Sequence, residues 1–155
     1  MKYSRLTKEQ FEELHPEFIN FLATQSITAE EWKEIKQNKP EVAEQELDVF
    51  SDLVWEGVLE KVEYLEHISP QRMHLFYLSE KNMHLIAVII KNDMDITTKD
   101  GFNWLRENLM HDAVEFQQAN KTYSEDKNLD KFKLIEQGSV ITKGDLFSFF
   151  NNLIN

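Results

Sequence analysis

Two short apolar runs, Met73-His74-Leu75-Phe76-Tyr77-Leu78 and Met83 through Ile90, constrain the fold of this chain most strongly. Neither run alternates apolar with polar residues, so strands built from them present apolar side chains on both faces and need cover above and below. The break between them, Ser79-Glu80-Lys81-Asn82, predicts a β-hairpin in which Asn82 takes the left-handed conformation that a three-residue loop needs. Such a hairpin belongs at the centre of a sheet. The stretch from Val62 to Ile68 is compatible with a third strand or with the end of a preceding helix.

Upstream, the pattern is helical. Thr7 with Gln10 reads as a capping box opening a helix that bears Phe11 and Leu14, and Pro16 is expected to end or kink it. Phe18, Ile19, Phe21 and Leu22 continue a helical apolar face. Thr28 with Glu31 starts a short helix through Trp32 and Ile35 that stops before Pro40. From Pro40 a long helix is predicted to about Glu60, with Ala43, Leu47, Phe50, Val54 and Val58 forming one buried stripe. Glu41, Glu44, Asp48, Asp52, Glu56 and Glu60 recur on the opposite face. Trp55, Leu59 and Val62 lie off the stripe, among the acids, so either the chain covers them or a partner binds there.

Downstream of the hairpin, Thr97 with Asp100 predicts a helix carrying Phe102, Leu105 and Leu109. Residues Asn120 to Asp130 read as a polar surface loop, and Phe132 to Thr142 as a further strand pair. Thr142 with Asp145 caps a last helix bearing Leu146, Phe147, Phe149, Phe150 and Leu153. The fold class expected is α+β, with a helical N-terminal half packed on a small antiparallel sheet and a closing C-terminal helix.

A chain of 155 residues fits a single domain, 1–155, and its 41% hydrophobic and 12% aromatic content argues for an ordered core. The longest apolar candidate, Leu85 to Ile90, is far too short to span a bilayer, and Met1 to Gln10 shows no secretory pattern, so a cytoplasmic location is expected. The absence of cysteine excludes disulfides, thiolate metal sites and cysteine nucleophiles. The net charge of −11 is uneven: residues 1 to 70 hold 16 Asp/Glu against 7 Lys/Arg, the remainder 12 against 10. That field disfavours nucleic acid bound through a basic patch and anionic membrane surfaces.

Motifs for catalysis are missing. The glycines at 57, 101, 138 and 144 build neither a nucleophile elbow, a phosphate-cradling loop nor a dinucleotide fingerprint. His111, Asp112 and Glu115 could share a helical face and supply a metal-dependent enzyme, with Asp93 and Asp95 nearby, although such spacing commonly marks a solvated face. The Asp93 loop is no calcium-binding hand, because Thr98 and Trp104 occupy the positions needing Gly and Glu. His74 and His84 are expected on one side of the hairpin, too far apart for a shared metal. No catalytic, cofactor-binding or metal residue is therefore assigned, and no cofactor is expected.

The leading functional reading is a non-enzymatic protein-interaction module, with Trp55, Leu59 and Val62 as partner-binding anchors; the acidic stripe reads first as the solvated side of an amphipathic helix and second as a docking face for a partner of basic character. A metal-dependent or small-molecule enzyme and an acidic decoy of nucleic acid are the alternatives. Through Met1-Lys2-Tyr3, Arg5-Leu6-Thr7 and Phe18-Ile19-Asn20-Phe21-Leu22-Ala23-Thr24-Gln25, the chain resembles a small bacterial family of uncharacterised single-domain proteins. That resemblance implies a bacterial, cytoplasmic protein and no particular activity.

Overall fold

Caps and prolines punctuate the first part of the chain as the sequence demands. The computed structural model describes all 155 residues, which form two units, Met1–Glu60 and Lys61–Asn155, in a protein of the α+β class. In the first unit the Thr7 hydroxyl accepts from the Gln10 N–H at 3.2 Å while the Gln10 side chain accepts from the Thr7 N–H at 2.8 Å, opening α1 (Lys8–Glu13). This helix ends before Pro16 rather than kinking at it, and Pro16 sits in the first turn of α2 (His15–Thr24), where the missing N–H costs nothing. Thr28 caps α3 (Ala29–Asn38), and Pro40 begins α4 (Pro40–Lys61), whose last residue opens the second unit. Between α2 and α3 the chain reverses at Ser26, which is left-handed at φ 61° without being glycine.

Phe18 is the hub of the helical core. Its ring meets Phe50 at 5.0 Å and Trp32 at 5.2 Å edge-on, with Phe11 at 6.0 Å, and Leu6, Leu22 and Ala43 complete the buried set. The α4 stripe holds through Ala43, Leu47, Phe50 and Val54, but Val58 is 39% exposed. A spacing of four, three, four and four averages about 3.75 residues per turn, so the stripe drifts around a 3.6-residue helix. Burial passes instead to Ser51 and Leu59, both fully covered.

The second unit is a five-stranded antiparallel sheet. Residues Val62 to Ile68 supply a strand, β1 (Tyr64–Ser69), followed by β2 (Arg72–Leu78), β3 (Asn82–Ile90), α5 (Lys99–Glu107), β4 (Val114–Thr122), α6 (Lys127–Glu136), β5 (Val140–Ile141) and α7 (Asp145–Ile154). The spatial order is β4-β3-β2-β1-β5, which puts the doubly apolar hairpin inside the sheet. On one face Met73, Leu75, Ile86, Val88 and Ile90 pack with Leu105 of α5 and with Phe147 and Phe150 of α7. On the other, Leu65, Leu78 and Met83 pack with Val62, Leu134 and Ile135.

Several local expectations need correction. Asn82 is not left-handed: it belongs to β3, and Ser79 closes the three-residue loop 79–81 by donating its N–H to the Asn82 carbonyl at 3.0 Å and accepting the Asn82 N–H on its hydroxyl at 3.1 Å. The cap of α5 is Thr98 rather than Thr97, because Thr97 is engaged by the Asp95 carboxylate and leaves the Thr98 hydroxyl to accept from the Gly101 N–H. Leu109 lies beyond that helix. The polar stretch from Asn120 is no loop throughout; residues to Thr122 finish β4, and Asp126 caps α6 by accepting from the Leu129 N–H. Phe132 is therefore helical, and only Val140–Ile141 of the expected strand pair forms, bonded to β1. At α7 the capping position is Gly144, left-handed at φ 86°, with Thr142 accepting its N–H.

Candidate functional site

The acidic stripe of α4 is largely occupied by the chain itself. Residues 2 to 6 run along it as a strap: the Lys2 and Tyr3 N–H groups donate to the two oxygens of Asp52 at 2.7 and 2.9 Å, and the Lys2 ammonium reaches Glu56 at 2.9 Å. Tyr3 donates its hydroxyl to Glu56; burial, with that bond, pushes its pKa up to about 12. Arg5 spans Asp48 at 2.5 Å and Glu44 at 2.8 Å, and the Leu6 N–H donates to buried Ser51 at 3.1 Å. Four of the six carboxylates, Glu44, Asp48, Asp52 and Glu56, thus serve internal contacts, leaving Glu41 and Glu60 exposed.

The three apolar residues among the acids are covered to different degrees. Leu59 is fully buried, Val62 is 5% exposed and packs in the sheet unit, and Trp55 is half-buried with its indole N–H on the Ser4 carbonyl at 3.0 Å. Trp55 also packs against Tyr3, ring centroids 6.5 Å apart. Its visible role is to clamp the strap.

A different feature of the helical unit has the character of a binding site. An open groove of about 590 Å³ lies among α1, α2, α3 and Leu47 of α4. Its floor is apolar and aromatic, formed by Phe11, Phe18, Ile19 and Trp32. Its rim carries the cations Lys8, Lys33 and Lys36 and the imidazole of His15, with Arg5 at the strap end, and no carboxylate lines it. The Lys36 ammonium stands 5.9 Å from the Trp32 ring centroid. Residues 1 to 60 contain only six Lys/Arg against fourteen Asp/Glu, so four of six cations collect around one groove. The helices explain how: Lys33 and Lys36 flank Trp32 on one side of α3, Lys8 opens α1 and His15 opens α2. Sequence reading concentrated on the acids and passed over these residues, although two lysines one turn apart beside a tryptophan are a visible cue in so acidic a segment.

In the sheet unit the other expected clusters disperse. The helix thought to carry His111, Asp112 and Glu115 stops at Glu107, so His111 and Asp112 lie in a turn and Glu115 lies in β4. No group of three or more His, Asp or Glu is placed to hold a metal. His74 and His84 are on opposite faces, not one side: His84 pairs with Tyr77, an odd number of positions from His74. The cross-strand neighbour of His74 is His67, ring centroids 6.4 Å apart, and burial, His67 and Arg72 hold the His74 pKa below its usual value. A second groove, about 410 Å³, lies beside β3, β4 and α6, with Phe76, Leu85 and Ala119 as apolar lining and Lys121 and Lys133 as cations.

One family model matches the chain, and it does so over residues 1–155, strap, groove and sheet unit together. The chain belongs to a family of unknown function (DUF6495). No curated protein and no solved structure matches it. Membership in this family brings no activity with it, and no helix of the chain is long and apolar enough to cross a membrane.

Proposed function

We propose that the chain is a non-enzymatic protein-interaction module whose helical unit receives an acidic segment of a partner protein bearing apolar anchors. The segregation of charge carries this reading: Lys8, His15, Lys33 and Lys36 surround an aromatic floor in a unit that is otherwise strongly acidic. An amphipathic segment laid in such a groove buries its apolar anchors while its carboxylates meet the rim, a recurrent mode of peptide recognition. The openness of the groove along three helices suits a peptide better than an enclosed small molecule, which is ordinarily buried over most of its surface. A basic partner is disfavoured at α4, since it would have to displace Lys2 and Arg5 from their carboxylates.

The test is selection of a random peptide library displayed on phage against the whole chain. Enriched peptides are expected to combine Asp or Glu with aromatic or aliphatic residues. A fluorescein-labelled enriched peptide should bind more weakly as salt rises and lose at least about tenfold affinity to the K33E/K36E double variant, about 1.4 kcal/mol. Peptides without acidic bias, unchanged affinity in the double variant, or no enrichment at all would overturn the reading.

A further inference from the structure

The two edges of the sheet are unlike. β5 is an edge of two residues, short enough to offer little to another strand. β4 is nine residues long and pairs with β3 along its whole length, from Asn82 with Thr122 to Ile90 with Val114, without a proline or a bulge. Its outer side has no strand beside it, and Gln117 to Thr122 are exposed. A row of backbone donors and acceptors is thus left open on a straight strand, an arrangement that proteins usually interrupt unless it is used.

The sequence of β4, Val114-Glu115-Phe116-Gln117-Gln118-Ala119-Asn120-Lys121-Thr122, is complementary to itself in one register. Register with β3 places Glu115, Gln117, Ala119 and Lys121 on one face, because their partners Ile89, Ala87, Leu85 and Met83 share that face. A two-fold axis perpendicular to the sheet keeps each face continuous, so it must pass through a residue. Centred on Gln118, antiparallel pairing sets Glu115 opposite Lys121 of the other copy, twice by symmetry, with Gln117 opposite Ala119 and Phe116 opposite Asn120. Moving the axis to Gln117 or Ala119 leaves both charges without an opposite. Centring it on Glu115 or Lys121 sets like charges together. Within the chain Lys121 has no ion pair, and Glu115 has a long contact of 3.9 Å with Lys91 and accepts a hydrogen bond from the Gln117 amide at 3.4 Å.

We propose that two copies of this chain pair edge to edge through β4, forming a ten-stranded antiparallel sheet with its two-fold axis at Gln118. Backbone hydrogen bonds supply the association, and the Glu115–Lys121 pairs select the register, since exposed ion pairs discriminate more than they stabilise. The interface is isologous, so assembly closes at two copies and does not propagate.

Sedimentation velocity over a concentration series tests this, with the whole chain, E115K, K121E and the double reversal E115K/K121E. The wild-type chain should approach twice its monomer mass. Each single reversal sets like charges opposite each other at both ends of the interface and should raise the dimer dissociation constant about tenfold or more, and the double reversal should restore it. Circular dichroism of each variant confirms that the fold is retained. A wild-type chain that stays monomeric at every concentration overturns the proposal, as does a dimer indifferent to the single reversals or one that the double reversal fails to restore.

Discussion

The indole N–H of Trp55 donates to the carbonyl of Ser4 at 3.0 Å, so a residue in the second half of the long helix holds the first residues of the chain in place. Asp52, one turn earlier, does the same with both carboxylate oxygens. The acidic stripe is therefore a structural seam.

Two substitutions measure that seam. Trp55→Phe keeps most of the packing and removes one neutral hydrogen bond, for an expected loss of about 1 kcal/mol in urea unfolding. Asp52→Ala removes a charged acceptor shared by two backbone donors and should cost about 2 to 3 kcal/mol. In hydrogen exchange the Lys2 and Tyr3 amides should lose protection in Asp52→Ala while the α4 amides around Phe50 keep theirs, which separates release of the strap from loss of the helix.

Glycine is required at two places for different reasons. A Cβ at Gly101 would stand 1.7 Å from the Asp95 carbonyl oxygen, a backbone atom that cannot swing aside. At Gly144 the positive φ is unfavourable for other residues and a Cβ would come within 2.5 Å of the Tyr64 ring. Both alanine variants should lower the thermal midpoint, each by an amount equivalent to about 2 kcal/mol or more, with the Gly101→Ala loss the larger.

His74 makes stability depend on pH in a definite direction. Its folded pKa lies below the ordinary 6.5, through burial first and then the charges of His67 and Arg72, so below 6.5 the unfolded chain binds more protons than the folded one. Its contribution is present above 6.5 and is lost as pH falls toward the folded value. Urea midpoints should rise across that window, and His74→Gln should flatten the rise. An unchanged slope in the variant would assign the effect elsewhere.

The sequence carried the fold wherever one physical signal acted alone. Reciprocal caps at Thr7, apolar periodicity from Ala43 to Val54 in α4 and doubly apolar strands at Met73 to Ile90 each had one reading, and each appears in the structure. It failed where signals competed. Polar residues of β4 looked like a loop because an exposed edge strand needs no apolar alternation, and Thr97 and Thr98 contended for one cap until Asp95 engaged the first. The internal contacts of the acidic stripe were illegible for a related reason: a carboxylate facing water and a carboxylate facing a distant Lys2 or Arg5 have the same local sequence. The basic groove was hidden by averaging, since Arg5 of the strap, Lys8 of α1 and Lys33 and Lys36 of α3 vanish within a net charge of −11.

The strap has a kinetic consequence. Four helices joined by short turns would ordinarily assemble from neighbouring contacts and fold quickly, but the Tyr3–Asp52 bond joins residues 49 positions apart. The entropy of closing that loop must be overcome before the strap contacts repay it, though it grows only with the logarithm of loop length. The helical unit is thus a circuit that the strap closes, and its contacts between residues 2 to 6 and residues 44 to 56 raise the mean contact separation above that of four helices meeting only their neighbours.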